Sequence, residues 1–313
     1  MGGKKTDIIR FETEEGRSGQ IPIAIVAGNN PGPEVVITAG IHGCEYCGVL
    51  AAIKLFCELS PSDIKGCVKI LTVSDTAAFE TRTPAPTDDG LNLNRNFPGR
   101  SKGAYNSVLA AKIFDEIKGA DYHIDLHCGG THERSTQFAV CHRGRNGELN
   151  DLSHEMAYYS GLPNIVITET NGGRWSDKGT CCASVYETIG IPSVLLQSGG
   201  MGVVSAQSVN RQAEGIKNIM RRFGTLRGAL QPVGRPQIFE NMEIVRSKSG
   251  GIHYRRVNAG DSVKRGQAIG VITDWFGVPK EKIISPVTGK ILFMTEDASV
   301  PEKGFIAAIG VSR

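Results

Sequence analysis

The stretch that decides the fold is "EVVITAGIHGCEYCGVLAAIKLF", residues 34–56. It opens with a run of β-branched residues typical of a buried strand and continues into apolar residues at helical spacing, which are expected to stop at Pro61. His42 and Glu45 lie between the two elements, beyond the carboxyl end of the strand, where an α/β sheet usually carries its functional residues. The segment therefore predicts both an α/β fold and the place of its chemistry.

The same alternation of strands and helices continues through residues 1–230. It predicts a mostly parallel or mixed central sheet flanked by helices, which forms the catalytic domain. "IPIAIVAG" and "EVVITAG" flank the turn "NNPGP" (residues 29–33) and are expected to pair as a hairpin.

Residues 231–313 have a different pattern, with short strands separated by glycine turns, and they predict a small all-β C-terminal domain. This segment resembles the barrel-sandwich fold of biotinyl and lipoyl carriers. Those carriers need a modifiable lysine at one hairpin tip, where this chain has "ITDWFG", residues 272–277. We therefore expect the domain to shape the rim of the active site and not to carry a swinging arm.

Composition excludes several classes of function. The net charge of +3 gives no basic surface for nucleic acid. No run of about 18 apolar residues predicts a membrane span. The eight cysteines are irregularly spaced in a large chain, which favours a reduced, cytoplasmic protein. A homo-oligomer is compatible with the sequence.

His42 and Glu45 are candidate metal ligands because three-residue spacing within a helical turn brings both side chains to one side. Imidazole and carboxylate suit Zn²⁺, and a catalytic zinc takes three protein ligands. The third candidate is His127, at the end of the predicted strand "YHIDLH", with Asp125 placed to brace a neighbouring group. The alternative is a structural zinc on Cys44 and Cys47. No second CxxC completes such a site, so two buried thiols are the favoured interpretation.

A turn-rich loop, "DDGLNLNRNFPGR" at residues 88–100, adds substrate-binding candidates. Asn94 and Arg95 are adjacent in it. A guanidinium grips a carboxylate through two parallel hydrogen bonds, which is what a small acidic substrate requires.

Together and in this order, "HGCE", "NRNF" and "DLH" resemble the succinylglutamate desuccinylase/aspartoacylase family of zinc-dependent deacylases, relatives of the metallocarboxypeptidases. The resemblance covers roughly residues 20–225, and the β-rich tail also fits the family. It implies Zn²⁺ held by His42, Glu45 and His127, with Asn94 and Arg95 contacting the substrate.

One position departs from the family pattern. After "GIP" and a strand the family usually has a glutamate that takes a proton from the attacking water, and this chain has Gln197. An amide cannot accept that proton at neutral pH. Three accounts remain open: Gln197 orients the water while zinc ionises it, Glu169 or Glu133 replaces the base, or hydrolysis has been lost.

These observations predict zinc-dependent hydrolysis of an amide bond in a small N-acyl amino acid or a related acidic molecule. Arg134 and Arg82 are further candidates for contacting the substrate at the developing oxyanion. The alternatives are a carboxypeptidase acting on short peptides and a zinc-retaining binding protein with little turnover.

Overall fold

The computed structural model describes residues 2–83, 91–170 and 179–311. Its α-helices are α1 (Tyr46–Glu58), α2 (Thr76–Thr81), α3 (Tyr105–Ile117), α4 (Gly147–Tyr159), α5 (Cys181–Ser184) and α6 (Ala206–Arg222). A π-helical turn, Val185–Ile189, continues α5, and short 3₁₀ turns span Pro61–Asp63 and Leu93–Arg95.

Ten strands precede the C-terminal domain: β1 (Gly3–Glu12), β2 (Ser18–Ala27), β3 (Asn30–Ala39), β4 (Lys65–Leu71), β5 (Tyr122–His127), β6 (Glu133–Ser135), β7 (Phe138–Arg143), β8 (Asn164–Glu169), β9 (Ser193–Gln197) and β10 (Gln237–Phe239). Eight follow: β11 (Asn241–Arg246), β12 (Gly251–Arg255), β13 (Ser262–Val263), β14 (Ala268–Thr273), β15 (Pro279–Ile284), β16 (Gly289–Thr295), β17 (Ser299–Val300) and β18 (Phe305–Val311).

The central sheet is mixed and has the order β1-β2-β4-β3-β5-β9-β7-β8-β10. Strands β4, β3, β5 and β9 run parallel to one another, whereas β2 runs antiparallel to β4 and β7 antiparallel to β9. Apolar clusters cover both faces of the sheet. One contains α1 and α6 residues, and the other contains residues of α3 and α5. The predicted α/β architecture is confirmed.

The predicted hairpin of "IPIAIVAG" and "EVVITAG" is wrong. Strand β4 lies between β2 and β3, and β2 pairs instead with β1 in an antiparallel hairpin. Residues 35–39 of β3 are all buried. A strand that is buried on both faces is typical of the interior of a parallel sheet. Parallel neighbours are joined by crossover connections and not by a hairpin.

The C-terminal domain is all-β, as expected, with a five-stranded sheet that includes β6 and a four-stranded sheet, β15-β14-β12-β17. The two sheets do not close into a barrel. Their apolar side chains form a core of their own. At the hairpin tip between β14 and β15, Trp275 and Phe276 are exposed.

The two parts of the chain exchange strands across the expected boundary at residues 230–231. β10 adds to the edge of the central sheet beside β8, and β6 pairs with β16 of the C-terminal domain. A further apolar cluster contains Phe138 and Val140 of the central sheet together with Met242 and Leu292. Among the described residues, no helix combines the length and apolar character needed to cross a lipid bilayer.

Candidate metal centre and substrate pocket

Three side chains meet at the carboxyl edge of the central sheet. His42 lies in the turn after β3, Glu45 directly precedes α1, and His127 is the last residue of β5. His42 Nδ1 is 2.7 Å from Glu45 Oε1, and His127 Nδ1 is 2.9 Å from Glu45 Oε2. The backbone at 42–45 is a turn and not the expected first turn of the helix, and it is closed by Glu45 N–H donating to the His42 carbonyl at 3.2 Å.

The outer nitrogen of each imidazole is held by an acceptor. His42 Nε2 donates to Asn92 Oδ1 at 2.9 Å, and His127 Nε2 donates to Asp125 Oδ2 at 3.1 Å. Asp125 accepts a second hydrogen bond, from Thr38 Oγ1 at 2.6 Å. Such partners fix the ring orientation of a metal-binding histidine and leave its other nitrogen for the ion.

The cluster suits a divalent cation. Both Nδ1 atoms and the carboxylate face one another, and one donor atom from each residue lies within 4.8 Å of the others. Two imidazoles and one carboxylate are a known ligand set for catalytic zinc. A cation bound there would replace the hydrogen bonds between these Nδ1 atoms and Glu45. Among the described ranges, this is the one group of histidine, cysteine and acidic residues with that arrangement.

Electrostatics favour the charged forms of Glu45 and His127. Burial by itself would raise the pKa of Glu45, but His127 and His42 outweigh it and lower the pKa to about 2. Burial would lower the pKa of His127, yet Asp125 and Glu45 raise it to about 10. Glu45 is therefore ionised at neutral pH, as a metal ligand must be.

The cluster forms one wall of a cavity of about 200 Å³. Its polar lining also includes Asn92, Asn94, Arg95, Glu133 and Gln197. The rest of the lining is largely apolar: Cys128, Phe138, Val140, His142, Thr180, Cys182, Leu195, Met242 and Phe293. The cavity is small even for a small-molecule site, because such sites usually span about 300–1,000 Å³.

Asn94 and Arg95 occupy the 3₁₀ turn of the loop that was expected to bind substrate. Asn94 is buried, and its Oδ1 accepts the backbone N–H of Cys181 at 2.7 Å, which ties the loop to the start of α5. Its Nδ2 lies 3.5 Å from His127 Nε2. The loop thus brings Arg95 to the wall of the cavity beside the cluster.

Gln197 and Glu133 reach the cavity from different elements. Gln197 ends β9 in parallel register with His127. Glu133 begins β6, where Gly129 and Gly200 pack so closely that a Cβ on either would lie 2.5 Å from the Glu133 carbonyl oxygen. Burial, and then the nearby Glu45, raise the pKa of Glu133, so it holds a proton more readily than an ordinary glutamate.

Three other candidates lie away from the cavity lining. Glu169 is exposed at the end of β8 and 3.3 Å from Arg143. Because β7 reverses direction relative to β9, the carboxyl end of β8 falls at the opposite edge of the sheet. Arg134 points away from Glu133 and donates to Glu296 at 2.7 Å. Arg82 is exposed at the end of α2.

Cys44 and Cys47 do not belong to a group of converging metal-binding side chains among the described residues. Cys44 and Cys47 are buried free thiols. Burial, reinforced by Glu45, raises the pKa of Cys44 to about 11, so it stays protonated at neutral pH.

Sequence reasoning missed Asn92 and Thr38. Asn92 hydrogen-bonds to His42, and Thr38 hydrogen-bonds to Asp125. The available signal for Asn92 was its place in "NLNRNF", two residues before Asn94. Thr38 gave no signal, because a threonine in a strand is ordinary.

A model of the succinylglutamate desuccinylase/aspartoacylase catalytic domain matches residues 31–223. The chain belongs to the succinylglutamate desuccinylase/aspartoacylase family. It is 31% identical over 261 residues to the N-alpha-acetyl-L-2,4-diaminobutyric acid deacetylase of Halomonas elongata, a match that covers 81% of this chain and 74% of that protein.

Two solved structures share the whole fold. The ectoine utilization protein EutE (DoeB) from Ruegeria pomeroyi, in a product-bound form, has a TM-score of 0.87 at 22% identity, covering 99% of this chain and 96% of that one. A succinylglutamate desuccinylase/aspartoacylase from Rhodobacter sphaeroides has a TM-score of 0.84 at 25% identity, covering 98% and 95%. The fold of this family member, including its β-rich tail, is therefore that of its relatives.

Proposed function

We propose that the protein is a zinc-dependent deacylase that hydrolyses the amide bond of a small N-acyl amino acid. The observation that carries this proposal is the cluster of His42, Glu45 and His127, whose Nδ1 atoms and carboxylate converge on the wall of a small cavity. Family membership supports amide hydrolysis, and by its name the Halomonas elongata relative removes an acetyl group from an amino acid.

Zinc held by the cluster would polarise the acyl carbonyl and make water a better nucleophile. The side chains of the cavity supply the remaining steps. Arg95 binds the substrate carboxylate and positions the amide bond. Glu133 accepts the proton of the attacking water and passes it to the leaving amine, because it is a carboxylate on the cavity lining beside the cluster. Gln197, beside His127, orients the water by hydrogen bonding.

A carboxypeptidase acting on peptides is a weaker candidate. Met242 and Phe293 of the C-terminal domain form part of the cavity wall, and the cavity volume is about 200 Å³. A peptide extended on both sides of the scissile bond needs a longer, open groove.

The test is hydrolysis by zinc-loaded protein of a panel of N-acyl amino acids and matched dipeptides. We expect release of the amino acid from the former and none from the latter, with activity lost on chelation and in His127→Ala. His154→Ala is the matched control, because that histidine is on α4 and does not line the cavity. Zinc-loaded protein that cleaves nothing would support the binding-protein alternative and contradict the proposal.

A further inference from the structure

Resting on the proposed deacylase function, we propose that the cavity recognises an uncharged, short aliphatic acyl chain and discriminates against an acyl chain that ends in a carboxylate. The acyl chain would occupy the apolar wall of the cavity, formed by Phe138, Val140, Leu195, Met242 and Phe293 and named the acyl wall below.

The sheet register places the acyl wall next to the metal cluster. On antiparallel strands β7 and β9, Phe138 is opposite Gln197 and Val140 is opposite Leu195. Gln197 is in turn level with His127 on β5. Alternate residues of a strand share a face of the sheet. The cross-strand pair Val140–Leu195 is therefore on the same face as the pair Phe138–Gln197, two residues further along the strands. A carbonyl bound at the cluster therefore has an apolar surface within one or two carbon atoms along this face.

The C-terminal domain completes the acyl wall. Met242 is buried, and Phe293 stacks on Phe138 with ring centroids 6.1 Å apart. Phe138, Val140 and Met242 belong to the apolar cluster that joins the two parts of the chain, and Leu195 and Phe293 pack against it. A methyl or methylene group gains from contact with such a surface, whereas an ionised carboxylate would lose its hydration without an ionic partner among these five side chains.

The two parts of the cavity lining suit the two parts of the substrate, the amine portion (the amine arm) and the acyl portion (the acyl arm). The carboxylate beside the scissile amide belongs to the amine arm, and Arg95 is the guanidinium on the lining that suits it. The acyl arm leaves the carbonyl on its other side and faces the acyl wall, and His142, Thr180 and Cys182 complete the lining. A cavity of about 200 Å³ must hold both arms, which restricts the acyl chain to a few carbons.

The first test uses N-acetyl-, N-propionyl-, N-butyryl- and N-succinylglycine with the zinc-loaded protein. Glycine has no side chain, so only the acyl arm varies. Butyryl and succinyl differ mainly by a methyl or a carboxylate at the end of the chain. We expect kcat/KM for butyrylglycine to exceed that for succinylglycine by about 10²-fold or more. An equal or higher value for succinylglycine would overturn the inference while leaving the deacylase function in place.

Failure of the deacylase function gives a different result. If no N-acylglycine is cleaved, calorimetry with butyrylglycine and succinylglycine, which carry the same glycine carboxylate, still decides whether the acyl wall prefers the uncharged chain. Tighter binding of butyrylglycine supports the inference, and tighter binding of succinylglycine contradicts it.

Variants locate the effect at the acyl wall. Leu195→Ala is expected to move the preferred acyl chain from butyryl toward hexanoyl, and Leu195→Lys to raise the succinyl-to-butyryl ratio of kcat/KM by about tenfold or more. Ile244→Ala is the matched control, since Ile244 packs against the same apolar cluster but does not line the cavity. A shift in Ile244→Ala equal to that in Leu195→Ala would contradict the assignment. The assignment would also be contradicted if Leu195→Ala changed which amino-acid side chain is preferred in N-acetyl substrates but left the acyl-chain preference unchanged.

Discussion

At the scale of single residues, Glu45 is the centre of the site. It accepts hydrogen bonds from both imidazoles of the cluster and from the backbone N–H of Cys128 at 2.9 Å. These partners keep a buried carboxylate ionised against the cost of desolvation. The same arrangement means that the metal-free protein carries protons on the cluster that a cation would displace.

Metal binding is therefore expected to release protons. The pKa of His127 is raised to about 10, so at neutral pH its Nδ1 carries a proton in the metal-free protein. Zinc affinity should rise with pH, by about tenfold per unit for each proton displaced, up to that value. Calorimetric titrations at pH 6.5 and 7.5, each in buffers of different ionisation enthalpy, measure the proton count. Zinc binding without proton release would contradict this reading of the cluster.

Removing Asn92 should weaken metal binding without removing a ligand. Asn92→Ala frees His42 Nε2 from its acceptor, and loss of such a partner typically costs about 10–100-fold in metal affinity. Competition with a chromogenic chelator measures the change. Asn146→Ala, which removes the cap of α4 away from the cavity, serves as control and should leave the affinity unchanged.

Glu133→Gln should lower kcat by about 10²–10⁴-fold, because the amide cannot take the proton from water. Deprotonation of Glu133 should also set the acidic limb of the pH–kcat/KM profile. Activity should rise with pH through this limb, and the limb should vanish in Glu133→Gln. Glu169→Gln is the matched control and should behave as wild type. Loss of activity in Glu169→Gln, with Glu133→Gln unaffected, would reverse the assignment.

At the scale of elements, the short strand β6 connects the site to the C-terminal domain. Its residues pair with β16, with Glu133 opposite Thr295. Glu296 N–H donates to the His132 carbonyl at 2.9 Å, and the Glu296 side chain pairs with both Arg134 and Arg255. The position of the proposed base therefore depends on contacts from a part of the chain about 160 residues further on.

Loosening β6 should impair turnover more than substrate binding. Glu296→Gln weakens the ion pair with Arg134, which is half-exposed and so contributes at most about 1 kcal/mol. If that energy holds Glu133 in place, kcat should fall by up to about fivefold with little change in KM or zinc content. Glu58→Gln is the control, because Glu58 also joins two cations, Lys54 and Lys217, on another part of the surface. Equal effects in both variants would show that β6 is not the cause.

Elements were predictable from the sequence where the pattern is local. The alternation in residues 34–58 defines β3 and α1, and "YHIDLH" coincides with β5. Strand order was not predictable, because β4 enters between β2 and β3 only when the buried faces of the whole sheet are matched. Glu169 was a candidate for the same reason, because strand direction cannot be read from a local pattern. β7 runs antiparallel to β9, and this places the carboxyl end of β8 at the edge of the sheet opposite the metal cluster.

At the scale of the whole molecule, we expect the central sheet and the C-terminal β-strands to behave as one unit. They exchange β6 and β10 and share an apolar cluster. The composition change near residue 230 predicts two domains, and the last helix among the described residues is α6. The exchange itself could not be predicted, since three-residue pairings carry too little sequence pattern.

The full chain should unfold in a single cooperative transition because of this exchange. Leu292→Ala, in the shared cluster and fully buried, should lower the free energy of unfolding of the whole protein by about 2–5 kcal/mol. Val278→Ala, an exposed position in the same domain, should change it little. Calorimetry checks both variants. Two separate transitions, with only one shifted by Leu292→Ala, would contradict the single unit.

The most direct test of the account is crystallographic anomalous scattering at the zinc edge from protein stripped of metal and reloaded with one equivalent of Zn²⁺. The account predicts a single strong peak about 2.0–2.1 Å from Nδ1 of both His42 and His127 and about 2.0–2.2 Å from a Glu45 oxygen. A peak on the thiols of Cys44 and Cys47, or no peak among these three side chains, would contradict it.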